Sequence, residues 1–183
     1  PGGDKIGRRR LDTHFLGLQK LGASFDYDDD TNQFNIQADK LTGAYILMDE
    51  ISVTGTANVV MAAVLAKGTT QLYNAACEPY LQQLCNMLNR MGAKISGIGS
   101  NLLHIEGVEK LSGTTHTLLP DMIEIGSFIS LAAMTQSDLR IKNARVDQLG
   151  IIPFVFERMG LKLIFEQDDI IIPAQEEYEI QSF

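Results

Sequence analysis

Hydrophobic positions along the chain switch between two spacings, and the switch recurs. The stretches Leu18–Phe25, Leu88–Ile95 and Phe156–Leu163 each begin with the apolar spacing of a helix end. Each then passes through a glycine and continues as an apolar-alternating strand. The glycines Gly22, Gly92 and Gly160 stand 70 and 68 residues apart. Glycine at that place is the expected left-handed helix terminator, a conformation in which a Cβ is costly. Each glycine is followed by a predicted hairpin: Ala23–Tyr27 with Gln33–Gln37, Lys94–Ser96 with Leu102–Glu106, and Lys162–Phe165 with Asp169–Ile172. Turns rich in Gly, Asn and Asp separate the paired strands.

The likeness extends upstream. Thr56–Gly68 lines up with Gly126–Ser137, each a helix rich in small residues. Each is followed by a short alternating strand that ends in Asn-Ala, at Asn74-Ala75 and Asn143-Ala144. One unit of about 69 residues therefore reads strand–helix–strand–helix–strand–strand. The chain holds the end of one unit, a whole second unit and most of a third. The predicted helix at 56–66 is almost wholly apolar, which predicts burial on all sides. The pattern thus asks for an α/β fold with helices inside and sheets outside. A solenoid is the alternative, although solenoid repeats run nearer 20–50 residues.

Composition changes this picture little. The 183 residues are 45% hydrophobic and 21% charged, ordinary for one domain or two small ones. No apolar run reaches the length needed to span a bilayer, and no signal peptide opens the chain. Cys77 and Cys85 cannot staple the fold and have no histidine company, so a reduced, cytoplasmic setting is the default. A net charge of −8 argues against a nucleic-acid binder. Yet Lys5, Arg8, Arg9 and Arg10 crowd the first ten residues, either as a local anion site or as a solvated arm. Pro1-Gly2-Gly3 is loop chemistry, and the expectation is that the chain begins inside a loop of something longer. Asp26, Asp28, Asp29 and Asp30 lack the spacing of a calcium loop and read as a solvated turn. His14, His104 and His116 form no triad or metal set, and His14 reads as a helix-packing residue. No metal or other cofactor is expected. The methionines Met61, Met87, Met91, Met134 and Met159 read as core.

Four ordered stretches carry a family resemblance. Pro1-Gly-Gly-Asp4-Lys-Ile-Gly-Arg-Arg9-Arg-Leu-Asp12-Thr13-His14 resembles the loop motif Pro-Gly-Gly-Cys-x-Ile-Gly-x-Arg-Pro-x-Asp-x-His of the enolpyruvyl transferases that act on UDP-N-acetylglucosamine. Met48–Thr56 is similar to that family's substrate-binding turn. Asn74–Pro79 and Leu119–Gly126 are similar to two further family stretches. The match runs over essentially the whole chain. The resemblance implies an inside-out α/β barrel, in which βαβαββ units repeat around a pseudo-threefold axis in each of two domains. It places residues 1–118 in the first domain and 119–183 in the second, with Pro120 on an extended connecting strand.

The resemblance also implies chemistry. Such enzymes move the enolpyruvyl group of phosphoenolpyruvate to the 3′-hydroxyl of UDP-N-acetylglucosamine and release phosphate. Asp4 stands where the family usually has a cysteine general acid. A carboxyl there can deliver the proton if a desolvated site raises its pKa, and members with Asp at this place escape fosfomycin, which alkylates the thiol. Arg9 matches the phosphate-binding arginine, whose planar fork suits phosphate oxygens. Asp12 and Thr13 correspond to uridine contacts, the alternative being plain capping of a helix that starts near Thr13. Ser52, Val53 and Thr54 match the diphosphate contacts, at what is predicted to be a helix N-terminus near Thr56. Glu50 departs from the family's Lys, and Thr54 from its common Gly. Glu78, Asp121 and Glu124 are implied to organise the site at the domain seam, or else are surface acids.

The partners implied are phosphoenolpyruvate and UDP-N-acetylglucosamine, with no nucleic acid and no membrane insertion. The family's remaining catalytic residues are not among these 183. The chain alone is therefore expected to be inactive, with the rest of the polypeptide needed to complete the site. The rivals are a shikimate 3-phosphate enolpyruvyl transferase of the same fold, a non-catalytic repeat module that only binds a ligand or partner, and a truncated product with no activity of its own.

Overall fold

The repeat is written most plainly in three helix ends. In the computed structural model, which describes residues 11–181, Gly22, Gly92 and Gly160 have φ of 106°, 104° and 90°. The residue after each glycine donates its N–H back five positions. These bonds run from Ala23 to Leu18 (3.0 Å), from Ala93 to Leu88 (3.0 Å) and from Leu161 to Phe156 (3.1 Å). This is the six-to-one bond of a glycine-terminated helix, and it turns the chain directly into the next hairpin.

The helices so terminated are α1 (Asp12–Lys20), α3 (Pro79–Arg90) and α5 (Ile152–Arg158). The hairpins that follow are β1–β2 (Ser24–Asp28, Gln33–Gln37), β5–β6 (Lys94–Ser96, Leu102–Glu106) and β8–β9 (Ile164–Glu166, Asp169–Ile172). The first hairpin starts one residue later than predicted. The last strand pair shifts as well: Glu166 pairs with Asp169, so a two-residue turn with Gln167 at φ 57° absorbs the predicted loop. In the first turn the Asp28 carboxylate accepts from the N–H groups of Asp30 and Thr31 at 2.9 and 3.2 Å. A hydrogen bond from the Thr31 side chain, together with those two backbone bonds, holds its pKa below the ordinary value.

The described residues form two compact units, one ending at Thr117 and one beginning at Leu118. In the first, β3 (Tyr45–Leu47), α2 (Val53–Ala63) and β4 (Thr69–Tyr73) precede α3. The sheet order is β3-β4-β6-β5, with β3 and β4 parallel and the other pairs antiparallel. Alternation puts Ile46, Leu72, Leu103, Ile105 and Ile95 on one face, and α2 and α3 cover it. The second unit runs α4 (Met122–Thr135), β7 (Leu139–Ile141), a 3-10 turn (Val146–Gln148), α5, β8 and β9. Its sheet order β7-β9-β8 matches β4-β6-β5. Here Ile129, Leu163, Ile170 and Ile172 make a smaller core.

Several expectations need correction, and of the methionines read as core Met61, Met134 and Met159 are 46%, 84% and 43% exposed. The helix predicted at 56–66 runs from Val53 to Ala63, because the Ser52 hydroxyl accepts from the Gly55 N–H at 3.1 Å and starts the helix earlier. Nor is it buried all round. Gly55, Thr56, Val59, Val60 and Ala63 are buried, but Met61 is 46% exposed and Asn58 is also exposed. α1, α3 and the sheet meet its other sides. Finally, residues 107–121 form neither helix nor strand, so the connecting strand expected around Pro120 pairs with nothing among the described residues.

Candidate functional site

The predicted site residues near the start of the chain converge on the first turns of α1 and α2. The two helices approach closely at Gly17, where an added Cβ would lie 2.1 Å from Val59 Cγ2. Only glycine permits that distance. It brings the first turn of α1 alongside the Ser52–Gly55 turn, where a Cβ on Gly55 would meet Thr13 Cγ2 at 3.1 Å.

Thr13 is 1% exposed, and its hydroxyl is committed within the protein. It lies 2.8 Å from Asp49 Oδ1 and 3.1 Å from Glu50 Oε1. Glu50, the acid that stands where the family has a lysine, is thereby held towards α1. Asp12 opens α1 with no side-chain cap at Leu11 before it. It lines a surface cleft of about 620 Å³ together with Phe15, Leu16, Gln19, Lys20 and Asp49. A Phe25–Phe15–Phe34–Tyr27 aromatic chain, with successive centroids 4.6, 4.8 and 4.9 Å apart, braces α1 against the β1–β2 hairpin.

At α2 the chemistry is that of an open helix N-terminus. The Ser52 hydroxyl occupies the Gly55 N–H, while the N–H groups of Val53 and Thr54 precede the first intrahelical bond. No acidic residue belongs to this first turn, and the Asp49 and Glu50 carboxylates just before it are held on the Thr13 hydroxyl. Thr56 Oγ1 donates to the Ser52 carbonyl (2.6 Å) and accepts from the Ala76 N–H (3.0 Å). The 74–78 loop is thus tied to the same turn. Asn74, at φ 61°, donates through its amide to the Met48 carbonyl at 3.0 Å.

Glu78 ends that loop at the N-cap of α3 but makes no cap hydrogen bond. Its Oε2 is buried and without a hydrogen-bond partner among the described residues. Asp121 and Glu124 belong to the second unit. Asp121 caps α4, its carboxylate accepting from the N–H groups of Ile123 (2.8 Å) and Glu124 (3.3 Å). Glu124 lies exposed in the same first turn. Asp4 and Arg9, with Lys5, Arg8 and Arg10, lie outside the described residues.

Sequence reasoning treats His14 as packing. The structure gives it two polar partners on α2: Asn58 Nδ2 at 2.7 Å and Thr54 Oγ1 at 3.4 Å. The available signal was the four-residue spacing of Thr54 and Asn58, which stacks them on one helical face. Cys77 and Cys85 are free thiols, and burial pushes the Cys85 thiol up to about 11, far from a reactive thiolate. Among the described residues no group of three or more His, Cys, Asp or Glu could hold a metal ion, and no helix is long and apolar enough to cross a membrane.

The β3–α2–β4–α3–β5–β6 order is the βαβαββ unit that the resemblance to the enolpyruvyl transferase class implies. The chain belongs to the EPSP synthase (3-phosphoshikimate 1-carboxyvinyltransferase) family, whose model matches residues 1–182. It is 70% identical over all 183 residues to the UDP-N-acetylglucosamine 1-carboxyvinyltransferase of Bacteroides thetaiotaomicron, and 62% identical over the same span to that of Porphyromonas gingivalis. In each case it covers 42% of the relative's length. Among solved structures it resembles the enolpyruvyl transferase NikO from Streptomyces tendae. That match has a TM-score of 0.78 at 20% identity, over 92% of this chain and 43% of the other. An EPSP synthase from Acinetobacter baumannii matches with a TM-score of 0.68 at 20% identity, over 95% of this chain and 42% of the other. Its fold is the α/β fold of these transferases.

Proposed function

We propose that the protein carrying this chain transfers the enolpyruvyl group of phosphoenolpyruvate to the 3′-hydroxyl of UDP-N-acetylglucosamine and releases phosphate. This would be the first committed step of peptidoglycan synthesis, serving cell-wall growth, cell shape and division from the cytoplasm. The observation that carries the reading is identity of 62–70% across every residue of the chain to relatives that bear that activity's name.

The geometry supports it. The N–H groups of Val53 and Thr54, with the Ser52 cap, offer a seat for the nucleotide diphosphate, and the turn carries no carboxylate to repel it. Asp12 edges the adjoining cleft, on the side where the uridine would lie. Thr13 serves by fixing the 49–50 turn, its hydroxyl being already spent. The Thr13 hydroxyl donates to Glu50 and holds that carboxylate towards α1.

Asp4 is assigned as the acid that protonates the methylene carbon of phosphoenolpyruvate as the sugar oxygen, its proton taken by a base from the rest of the polypeptide, bonds to C2. Phosphate then leaves C2 as the new methyl group loses a proton, which restores the enol double bond. Arg9 is assigned to the phosphate, where a fixed cation stabilises the charge that develops as it leaves. With an aspartate in place of the thiol, fosfomycin has nothing to alkylate. Glu78, Asp121 and Glu124 organise the site, and the rest of the polypeptide completes it.

The test is phosphate release by the full-length protein with phosphoenolpyruvate and UDP-N-acetylglucosamine. Asp4→Asn should lower the rate by roughly 100- to 10,000-fold, the range of a lost general acid. Fosfomycin should leave the native rate unchanged. Turnover with shikimate 3-phosphate and none with the sugar nucleotide would move the protein to the other branch of its family.

A further inference from the structure

The contacts of His14 have a direction. Asn58 presents its amide nitrogen to His14 Nδ1 at 2.7 Å, and an amide NH₂ can only donate. With the Asn58 amide oriented this way, Nδ1 accepts and Nε2 is the nitrogen left to donate. Nε2 faces Thr54 Oγ1 at 3.4 Å. A hydroxyl that accepts from the ring keeps its own proton free to donate elsewhere. Thr54 is exposed and stands in the first turn of α2, where the Val53 and Thr54 N–H groups have no hydrogen-bond partner among the described residues. Its hydroxyl is thereby set as a donor at the same end of the helix.

We infer that His14 is a positioning residue: the chain Asn58 to His14 to Thr54 fixes the Thr54 hydroxyl as an additional donor to the diphosphate of the sugar nucleotide. The inference rests on the reading of the α2 N-terminus as the diphosphate seat. Two features of this chain make it specific. Thr54 stands where the resembled motif commonly has glycine, which offers no side-chain donor. Asn58 lies one helical turn further along α2, so one ring can reach both.

The experiment measures the dissociation constant of UDP-N-acetylglucosamine by titration calorimetry on the full-length protein, together with the KM of each substrate and the melting temperature. Thr54→Val, which removes the hydroxyl and little else, should weaken sugar-nucleotide binding roughly tenfold, the worth of a hydrogen bond to a charged group. Thr54→Ser should bind as the native protein does. His14→Gln, whose amide nitrogen can stand in for the ring Nε2–H, should lose less than His14→Ala. The double variant Thr54→Val with His14→Ala should bind no more weakly than Thr54→Val alone. The KM for phosphoenolpyruvate should stay unchanged in all of them.

Native affinity in Thr54→Val, or losses that multiply in the double variant, would overturn the relay while leaving the proposed reaction standing. A fall in melting temperature with no change in affinity would assign His14 to packing and overturn it as well. A native protein that does not bind the sugar nucleotide would overturn the reaction and the relay together.

Discussion

The two units are copies of one design, and their differences separate what the fold needs from what a site needs. Superposed by their caps, Ser52 corresponds to Asp121, Asn74 to Asn143 and Leu103 to Ile170. Both helices begin with a capped first turn, at α2 and at α4. Both asparagines take positive φ, 61° and 53°, and the alanine after each donates its N–H into the following hairpin turn. Ala75 reaches the Asn101 carbonyl at 3.0 Å and Ala144 the Asp168 carbonyl at 2.6 Å. These shared features are scaffold.

The caps differ in a way that bears on function. Asp121 places its own carboxylate on the N-terminus of α4 and so compensates that helix end. Ser52 caps α2 with a neutral hydroxyl, and no acidic residue lies in its first turn. The first unit also retains a full second helix, α3, of twelve residues, where the second has a 3-10 turn and the seven-residue α5. Gly150, at φ 55°, and Pro153, in the first turn of α5, account for that interruption.

The largest effect expected from breaking this comparison is in the cores. Leu103 is 1% exposed and Ile170 is fully buried, and each lies opposite the matching strand residue, Leu72 or Ile141. Truncating either to alanine should cost about 2–5 kcal/mol. The consequence should differ by unit, because the second core has fewer buried side chains to share the loss. Hydrogen exchange read by mass spectrometry should show Ile170→Ala releasing protection across β7, β8 and β9, while Leu103→Ala loosens the first sheet less completely. Equal loss of protection in both sheets would mean the smaller core is no weaker.

A smaller effect separates the helix starts. Thr56 is fully buried, and its hydroxyl joins the Ser52 carbonyl to the Ala76 N–H; the matching residue by cap position is Ile125, which is apolar. Thr56→Val keeps the shape but leaves the Ala76 N–H buried without a partner, at a cost of about 1–3 kcal/mol. The 74–78 loop should exchange faster, as read by the same method. An unchanged loop would show that water replaces the hydroxyl and that the second unit's apolar solution is interchangeable with the first's.

This pair also shows how far the sequence could be read. Lining up the repeats by residue type sets Thr56 against Gly126, whereas the caps set it against Ile125, one position away. The period, the three glycine caps, the hairpins and the α/β class were legible because each rests on a local rule: an αL glycine, alternation, a turn. The start of α2 was misplaced by three residues because a single serine cap outweighs the apolar run behind it. Burial of α2 was overstated because composition reports a helix's affinity for a core and not how many neighbours it has. Ser52, Val53 and Thr54 were picked out by motif, and they stand at the start of α2. The commitment of Thr13 to Asp49 and Glu50, and the bridge from His14 to Asn58, join residues 36, 37 and 44 positions apart, which no local pattern encodes.

The smallest effect is a gain. By the cap register Gly126 corresponds to Ala57, so the second unit carries a glycine in the interior of α4 where the first carries alanine. A Cβ at Gly126 would meet Ile152 Cγ2 and Phe156 Cε2 at 3.9 Å each, ordinary contact distances, and the backbone there is helical. Nothing steric therefore requires the glycine, and the unfolded chain gains the freedom it brings. Gly126→Ala should stabilise by about 0.5–1 kcal/mol. That corresponds to a rise in melting temperature of a few degrees, roughly 2–4 °C per kcal/mol for a chain of this size, measurable by circular dichroism. A fall instead would mean that α5 packs on α4 more tightly than those 3.9 Å separations allow, and that the glycine in the second unit is held for close helix packing as Gly17 is in the first.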